Sequence, residues 1–93
     1  MADKKITFGV NLSVDNYWNV PEFARRAEDL GYGRVTMGEH IMDGNPPRPT
    51  LLNLPAMAAA AGATRDIRVM TGIVVAPLYH PVTLAKMVAS VDQ

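Results

Sequence analysis

Apolar and polar residues alternate with the two-residue period of a β-strand in the first part of the chain. Between Lys5 and Leu12 the apolar positions are Ile6, Phe8, Val10 and Leu12. Successive side chains of a strand point to opposite faces, so this segment is predicted to be a strand. The segments Arg34 to Gly38 and Ile67 to Ala76 predict two more strands. The second half of the last one is almost continuously apolar, which is typical of a strand covered on both faces.

Helical spacing of the apolar residues follows the first and third of these strands, and small, helix-favouring residues, Ala56 to Ala61, follow the second. The first helix is predicted to begin at the cap Asn19 and to end at Gly31, which suits a left-handed C-terminal position. The second helix is predicted to be capped by Asn53 and to end at Gly62. The third is predicted to open at His80-Pro81, because the fixed φ of proline suits the first helical turn.

The strand-helix order, repeated three times in units of about thirty residues, predicts an α/β fold with a parallel sheet. Three parallel strands leave two open edges, and such sheets normally have both faces covered. We therefore expect residues 1–93 to be the amino-terminal part of a larger α/β domain. The alternative is a complete small domain that dimerises through its sheet edges.

Composition narrows the function by exclusion. The formal net charge is zero, with nine basic and nine acidic residues, and no basic patch is visible, which argues against nucleic acid as the main partner. The chain contains no cysteine, so it has no disulfide framework and no thiolate nucleophile. We expect a cytoplasmic protein without a signal peptide, a transmembrane segment or a membrane partner.

A carboxylate and an imidazole, Glu39 and His40, stand where the second predicted strand opens into a loop. The turn-forming segment Asp43 to Pro47 follows them closely. Ligands bind at the carboxyl ends of strands in parallel α/β folds, and histidine exchanges protons near neutral pH. The pair is therefore a candidate site for proton transfer. The alternative is a hydrogen-bonded surface pair without a catalytic role.

Two further polar residues stand at predicted element ends. Asn11 ends the first strand and could face the same mouth as His40, as part of a substrate pocket, or could serve ordinary turn chemistry. His80 precedes the third helix and is either a structural residue of that turn or a direct participant in chemistry.

Several familiar motifs fail in this chain. The glycines of Gly31-Tyr32-Gly33 precede a strand instead of following one, so they are not a dinucleotide fingerprint. There is no GxxxxGK[ST] phosphate loop and no GxSxG nucleophile elbow. No established ligand spacing joins His40 and His80, and we predict no metal site; a site built from Glu39, His40 and Asp43 is the alternative.

An ordered set of short segments carries a resemblance to a known family. These are Phe8-Gly9; Gly31-Tyr32 with Val35-Thr36-Met37-Gly38-Glu39-His40; Gly62-Ala63-Thr64 with Ile67-Arg68-Val69-Met70-Thr71-Gly72; and Pro77-Leu78-Tyr79-His80-Pro81-Val82 with Ala85-Lys86 and Ala89-Ser90-Val91-Asp92. In this order and spacing they resemble the amino-terminal third of the bacterial luciferase-like, flavin-dependent monooxygenases.

The resemblance implies a (β/α)₈ TIM barrel of which this chain supplies the first three βα units. His40 matches the family's catalytic histidine and Glu39 the acidic residue beside the flavin. Gly72 and Ile73 match a backbone segment that passes close to the flavin ring. A non-prolyl cis peptide is expected at Gly72-Ile73, within one residue, as in several relatives.

The implied activity is oxidoreduction in which reduced FMN and dioxygen put one oxygen atom into a small organic substrate. The implied partners include a separate flavin reductase and, at full length, further copies of the chain. A deazaflavin coenzyme, with hydride transfer in place of oxygen insertion, is the alternative within the family. A non-catalytic α/β module is the alternative outside it. The flavin phosphate would be held by loops after later strands, so residues 1–93 alone are not expected to be active.

Overall fold

The computed structural model describes residues 5–12 and 19–93, which form three successive βα units. The elements in chain order are β1 (Gly9–Asn11), α1 (Val20–Asp29), β2 (Arg34–Met37), α2 (Asn53–Ala63), β3 (Arg68–Thr71), a short 3₁₀ turn (Ala76–Leu78) and α3 (Pro81–Asp92). The predicted α/β order is confirmed.

The three strands form one parallel sheet in the order β1-β2-β3. In its middle row Val10 pairs with Val35, and Val35 pairs with Val69. Because all three strands run in the same direction, their carboxyl ends meet at one edge of the sheet. The candidate residues that follow the strands are therefore brought to that edge.

All three strands are shorter than predicted, β2 by the single residue Gly38. β1 covers Gly9–Asn11 instead of the segment from Lys5 to Leu12, and Ile6 is 85% exposed. β3 ends at Thr71 instead of Ala76. Beyond it, the Val75 N–H donates to the side chain of Glu39 instead of to a neighbouring strand. An apolar sequence extends a strand only as far as a partner strand accepts its backbone hydrogen bonds.

The helices cover one face of the sheet. Val35 and Met37 of β2 are fully buried against this layer, together with other residues of the core. The remaining buried members of the core are Leu12, Val20, Ala24, Ala27, Ala56, Met57, Ala60 and Ile67. The opposite face carries the alternate strand positions, and the register aligns them in rows: Gly9, Arg34 and Arg68, then Asn11, Thr36 and Met70.

Three of the predicted helix ends are confirmed and two are wrong. The third helix begins at Pro81, with His80 at its N-cap, as predicted. Asn19 stands at the N-cap position of α1, and Gly31 has the left-handed φ of 89°. Gly62 does not end α2, which runs on to Ala63. Asn53 is the first residue of α2 and not its cap. Its side-chain amide donates instead to the carbonyl oxygens of the residues that end β2.

A carboxylate ties the first βα unit to the loop before β3. Glu28, near the end of α1, accepts hydrogen bonds from the backbone N–H groups of Arg65, Asp66 and Ile67 at 2.7–3.2 Å. These hydrogen bonds lower the pKa of Glu28 below its ordinary value, and the bonds from Ile67 and Asp66 have the largest effect. The residues lie at the amino end of the sheet, opposite the edge that carries the candidate site.

Across the residues that the structure describes, no helix is long and apolar enough to cross a membrane.

Candidate functional site

The carboxyl ends of the three strands form a continuous edge. The Leu12 N–H donates to the backbone carbonyl oxygen of Thr36 at 2.9 Å, and the Gly72 N–H donates to that of Met37 at 2.8 Å. The residues that follow these hydrogen-bonded positions leave the sheet at the carboxyl ends of the strands. The sequence-predicted positions Asn11, Glu39-His40 and Gly72-Ile73 are thus collected at one edge of the molecule.

His40 is exposed at this edge and begins a loop that folds back on itself. Its carbonyl oxygen accepts a hydrogen bond from the Thr50 hydroxyl at 3.0 Å. Within the loop, Asp43 and Arg48 form an ion pair at 2.7 Å and a backbone hydrogen bond of the same length. The loop therefore returns to the backbone of His40 while its imidazole stays open to solvent.

Glu39 has the opposite environment, because its side chain is only 6% exposed. Its Oε2 accepts from the Asn53 N–H at 2.9 Å and from the Tyr79 hydroxyl at 2.7 Å. Its Oε1 accepts from the Val75 N–H at 2.9 Å. The carboxylate joins the end of β2 to the start of α2 and to the segment between β3 and α3.

The pKa values of the Glu39 and Tyr79 pair are shifted in opposite directions. Burial of Glu39 opposes its ionisation, but the hydrogen bonds from Tyr79, Asn53 and Val75 outweigh it and lower the pKa of this carboxyl. The hydrogen bond to Glu39, followed by burial, raises the pKa of Tyr79 to about 12. Glu39 is thus a charged acceptor and Tyr79 a neutral donor at physiological pH.

At Gly72-Ile73 the backbone lies in a part of this edge where two glycines, Gly38 and Gly72, place no side chain over the open face of the sheet. Gly72 is opposite Gly38, since Met37 pairs with Thr71 one row before. A Cβ atom added at Gly38 would lie 3.5 Å from the Gly72 carbonyl oxygen, in ordinary van der Waals contact with it. Ile73 follows with its side chain 75% exposed.

The expected cis peptide at Gly72-Ile73 is wrong. In residues 5–12 and 19–93 the only cis peptide is Asn45-Pro46. A trans bond is favoured by several kcal/mol at a non-prolyl position.

Asn11 makes local contacts at the same edge. Its side-chain oxygen accepts from the Thr36 hydroxyl at 2.9 Å, and its amide donates to the Leu12 oxygen at 3.2 Å. These bonds fix the side chain on the face that the helices leave open. A role in a substrate pocket stays a prediction, as do the cofactor contacts of Glu39, Gly72 and Ile73.

His80 has the structural role that one of the two sequence interpretations gave it. It stands at the N-cap of α3, and its Nδ1 accepts from the Val82 N–H at 3.3 Å. The two residues that sequence reasoning missed are Tyr79 and Asn53, as partners of Glu39. No periodicity or spacing signal marks Tyr79, because its contact with Glu39 joins residues 40 positions apart.

Metal binding finds no support in the described ranges, where no group of three or more histidine, aspartate or glutamate side chains could hold an ion. A cleft of about 910 Å³ opens between α2, β3 and α3. It is lined by residues such as Met57, Val69 and Val88 and does not include His40. The candidate site is therefore an open edge of the sheet and lies apart from this cleft.

Comparison with known proteins gives one match. A model of the luciferase-like monooxygenase family matches residues 5–93, which is nearly the whole chain. No curated protein and no solved structure matches it significantly. The match includes the strand that ends in Glu39-His40 and the turn before α3. With three parallel βα units and this match, the chain belongs to the luciferase-like monooxygenase family.

Proposed function

We propose that residues 1–93 form the amino-terminal part of the TIM-barrel domain of a flavin-dependent monooxygenase. In this reaction reduced FMN supplies two electrons, one atom of dioxygen enters a small organic substrate, and the other leaves as water. One observation carries the proposal. An exposed histidine stands beside a strip of backbone without side chains, at the carboxyl edge of the first strands of a barrel family. That edge is where TIM-barrel enzymes bind their ligands.

The residues present fit a flat aromatic cofactor. Gly38 and Gly72 place no side chain over their part of the open sheet face, so a ring can approach the backbone there. Ile73 adds an exposed apolar side chain next to them. A flavin bound at this edge would supply the electrons that activate dioxygen.

The protein contributes proton transfer and orientation. His40 is the acid/base of the proposal, because its imidazole is exposed at the edge while its backbone is held by Thr50. Asn11 would contribute to the substrate pocket from the neighbouring strand. Glu39 would support the cofactor site from the helix side of the sheet. A small-molecule substrate, a reductase that supplies reduced flavin and further copies of the chain are the proposed partners.

Replacement of His40 tests the proposal in the full-length protein. We expect His40→Ala to reduce turnover by roughly 10²-fold or more, the usual contribution of a general acid or base. Binding of FMN, titrated by absorbance, is expected to survive. Turnover is measured by mass spectrometry as formation of the oxygenated product from reduced FMN, dioxygen and the best substrate of a panel of small organic compounds.

The other histidine is the matched control. His80→Asn keeps an acceptor at the N-cap of α3 and should leave turnover near the wild-type value. Unchanged turnover in His40→Ala would remove His40 from the mechanism. Binding of a deazaflavin coenzyme with no oxygen consumption would replace oxygen insertion by hydride transfer. Failure to bind either cofactor would favour a non-catalytic module.

A further inference from the structure

The buried carboxylate of Glu39 contacts three segments that are distant in sequence, and two of them border the proposed flavin site. We propose that Glu39 and Tyr79 are positioning residues, which fix His40 relative to the Gly72-Ile73 backbone and do not themselves touch the cofactor. The inference rests on the proposed function and extends it from the exposed histidine to the layer behind it.

The backbone on either side of Glu39 is held by hydrogen bonds from side chains. Gly38 precedes it, and the Gly38 oxygen accepts from the Asn53 side chain at 3.4 Å. His40 follows it, and the His40 oxygen accepts from the Thr50 hydroxyl at 3.0 Å. With its own carboxylate bound to the Asn53 N–H, Glu39 holds the start of the loop against α2. The Cα position of His40 is thereby determined.

The segment after β3 is anchored by two backbone N–H groups. The Gly72 N–H is bound to the Met37 oxygen, and the Val75 N–H is bound to Glu39 Oε1. Only Ile73 and Val74 lie between these two anchors. Both anchors belong to the same stretch of β2 and its continuation, so the backbone at Ile73 is held at each end to the chain that carries His40.

Tyr79 keeps the carboxylate of Glu39 in place. Its hydroxyl donates to Glu39 Oε2, the atom that also accepts from Asn53. A buried carboxylate needs several hydrogen-bond donors. Loss of one leaves its charge without sufficient hydrogen bonding, and the side chain is then free to change rotamer. Tyr79 reaches the site only through Glu39, so its effect on His40 would be indirect.

The alternative is the direct contact of Glu39 with the flavin that the family resemblance implies. Both carboxylate oxygens are already bound on the helix side of the sheet, where the side chain is buried. The two roles differ in what Tyr79 does. In a direct contact Tyr79 matters little, whereas in a positioning role its removal reproduces the loss of Glu39.

The experiment compares Tyr79→Phe, Glu39→Gln and their combination in the full-length protein, with Tyr32→Phe as the matched control. Tyr32 lies at the amino end of the sheet, next to Gly33. In the flavin-free protein, amide hydrogen exchange at Val75 is expected to rise roughly tenfold in Tyr79→Phe and Glu39→Gln and to stay unchanged in Tyr32→Phe. This measurement does not depend on activity.

With reduced FMN bound, kcat should fall roughly tenfold in Tyr79→Phe, within the 10²-fold that a 1 Å displacement can cost. The FMN dissociation constant and KM should change little, and the pH profile of kcat should shift. The kcat of the double variant should be no lower than that of Glu39→Gln alone, because both substitutions break the same hydrogen bond between Tyr79 and Glu39. Gly31→Ala, which disturbs the distant end of α1, should leave kcat and its pH profile intact and so separates positioning from loss of stability.

Two results would overturn the positioning role. One is a Tyr79→Phe protein that matches Tyr32→Phe in Val75 exchange and in kcat. The other is a Glu39→Gln protein whose main defect is FMN affinity, with effects that multiply when Tyr79→Phe is added. If Glu39→Gln does not fold, the comparison of the two tyrosine variants decides. Failure of the proposed function appears separately, as a wild-type full-length protein that does not bind FMN.

Discussion

Glu39 and His40 are neighbours in the chain but belong to different layers of the molecule. Continuing the alternation of β2 places Glu39 on the side of Val35 and Met37, and His40 on the side of Thr36. Their environments agree with this, since Glu39 is buried and His40 is exposed. One residue is therefore available to a ligand, while the other organises the protein behind it.

A second carboxylate, Glu28, gives stability a dependence on pH. Its folded-state pKa is lowered, so the stabilisation is present above its ordinary pKa and is lost as the pH falls through the lowered value. We expect Glu28→Gln to reduce the free energy of unfolding at neutral pH, with a difference from wild type that disappears on acidification. Chemical denaturation from neutral pH to about pH 3 measures it.

The control for this experiment is the adjacent residue. Asp29→Asn removes an exposed carboxylate from the same turn of α1 without touching the loop before β3. It should leave the pH dependence of the free energy of unfolding close to wild type. If Glu28→Gln and Asp29→Asn behave alike, the three backbone hydrogen bonds do not stabilise the ionised form.

At the scale of the elements, existence and order followed from local pattern, while the lengths did not. In the described part of the chain, alternation identified β1 and β2, an apolar run identified β3, helical spacing identified α1 and α3, and a run of small residues identified α2. The ends of β1 and β3 depend on which backbone groups a neighbouring strand can accept, and that is a tertiary property. The edge that gathers His40 and Gly72 was predictable from parallel topology. The contact of Tyr79 with Glu39 was not, because it arises only when distant segments meet.

Gly62 and Gly31 make a matched pair for testing how glycines act in these elements. Gly62 lies inside α2, and a Cβ atom there would meet nothing within 4 Å. Gly62→Ala should therefore raise the free energy of unfolding by about 0.4–1 kcal/mol, through the lost entropy of the unfolded chain. Gly31 has open space as well, but its φ is 89°, and Gly31→Ala should lower stability by roughly 1–2 kcal/mol.

Equilibrium denaturation of the two variants decides the matter. If Gly62→Ala is destabilising, the glycine has a structural role in ending the helix, as the sequence alone suggested. If Gly31→Ala is neutral, the turn between α1 and β2 adapts without the left-handed conformation.

Across the whole molecule, the described part of the sheet is covered by helices on one face, and the chemistry of the other face changes along the strands. Arg34 and Arg68 stand in one row at the amino end. The glycines Gly38 and Gly72 are at the carboxyl end. The family's TIM barrel would enclose this face. In the proposed function, this glycine-lined end is the one that would admit a planar ligand.

The hydrogen bonds of Glu28 to residues 65–67 also bear on how the molecule folds. They join positions 37 to 39 residues apart, and β2 and α2 lie between them. Contacts of this kind follow the closure of a long loop, so we expect them to form after the folding transition state. Glu28→Gln should then accelerate unfolding in stopped-flow experiments and leave the folding rate nearly unchanged. In that case Glu28 governs how long the folded state lasts and has little influence on how quickly it is reached; a slowed folding rate would instead place these bonds in the nucleus.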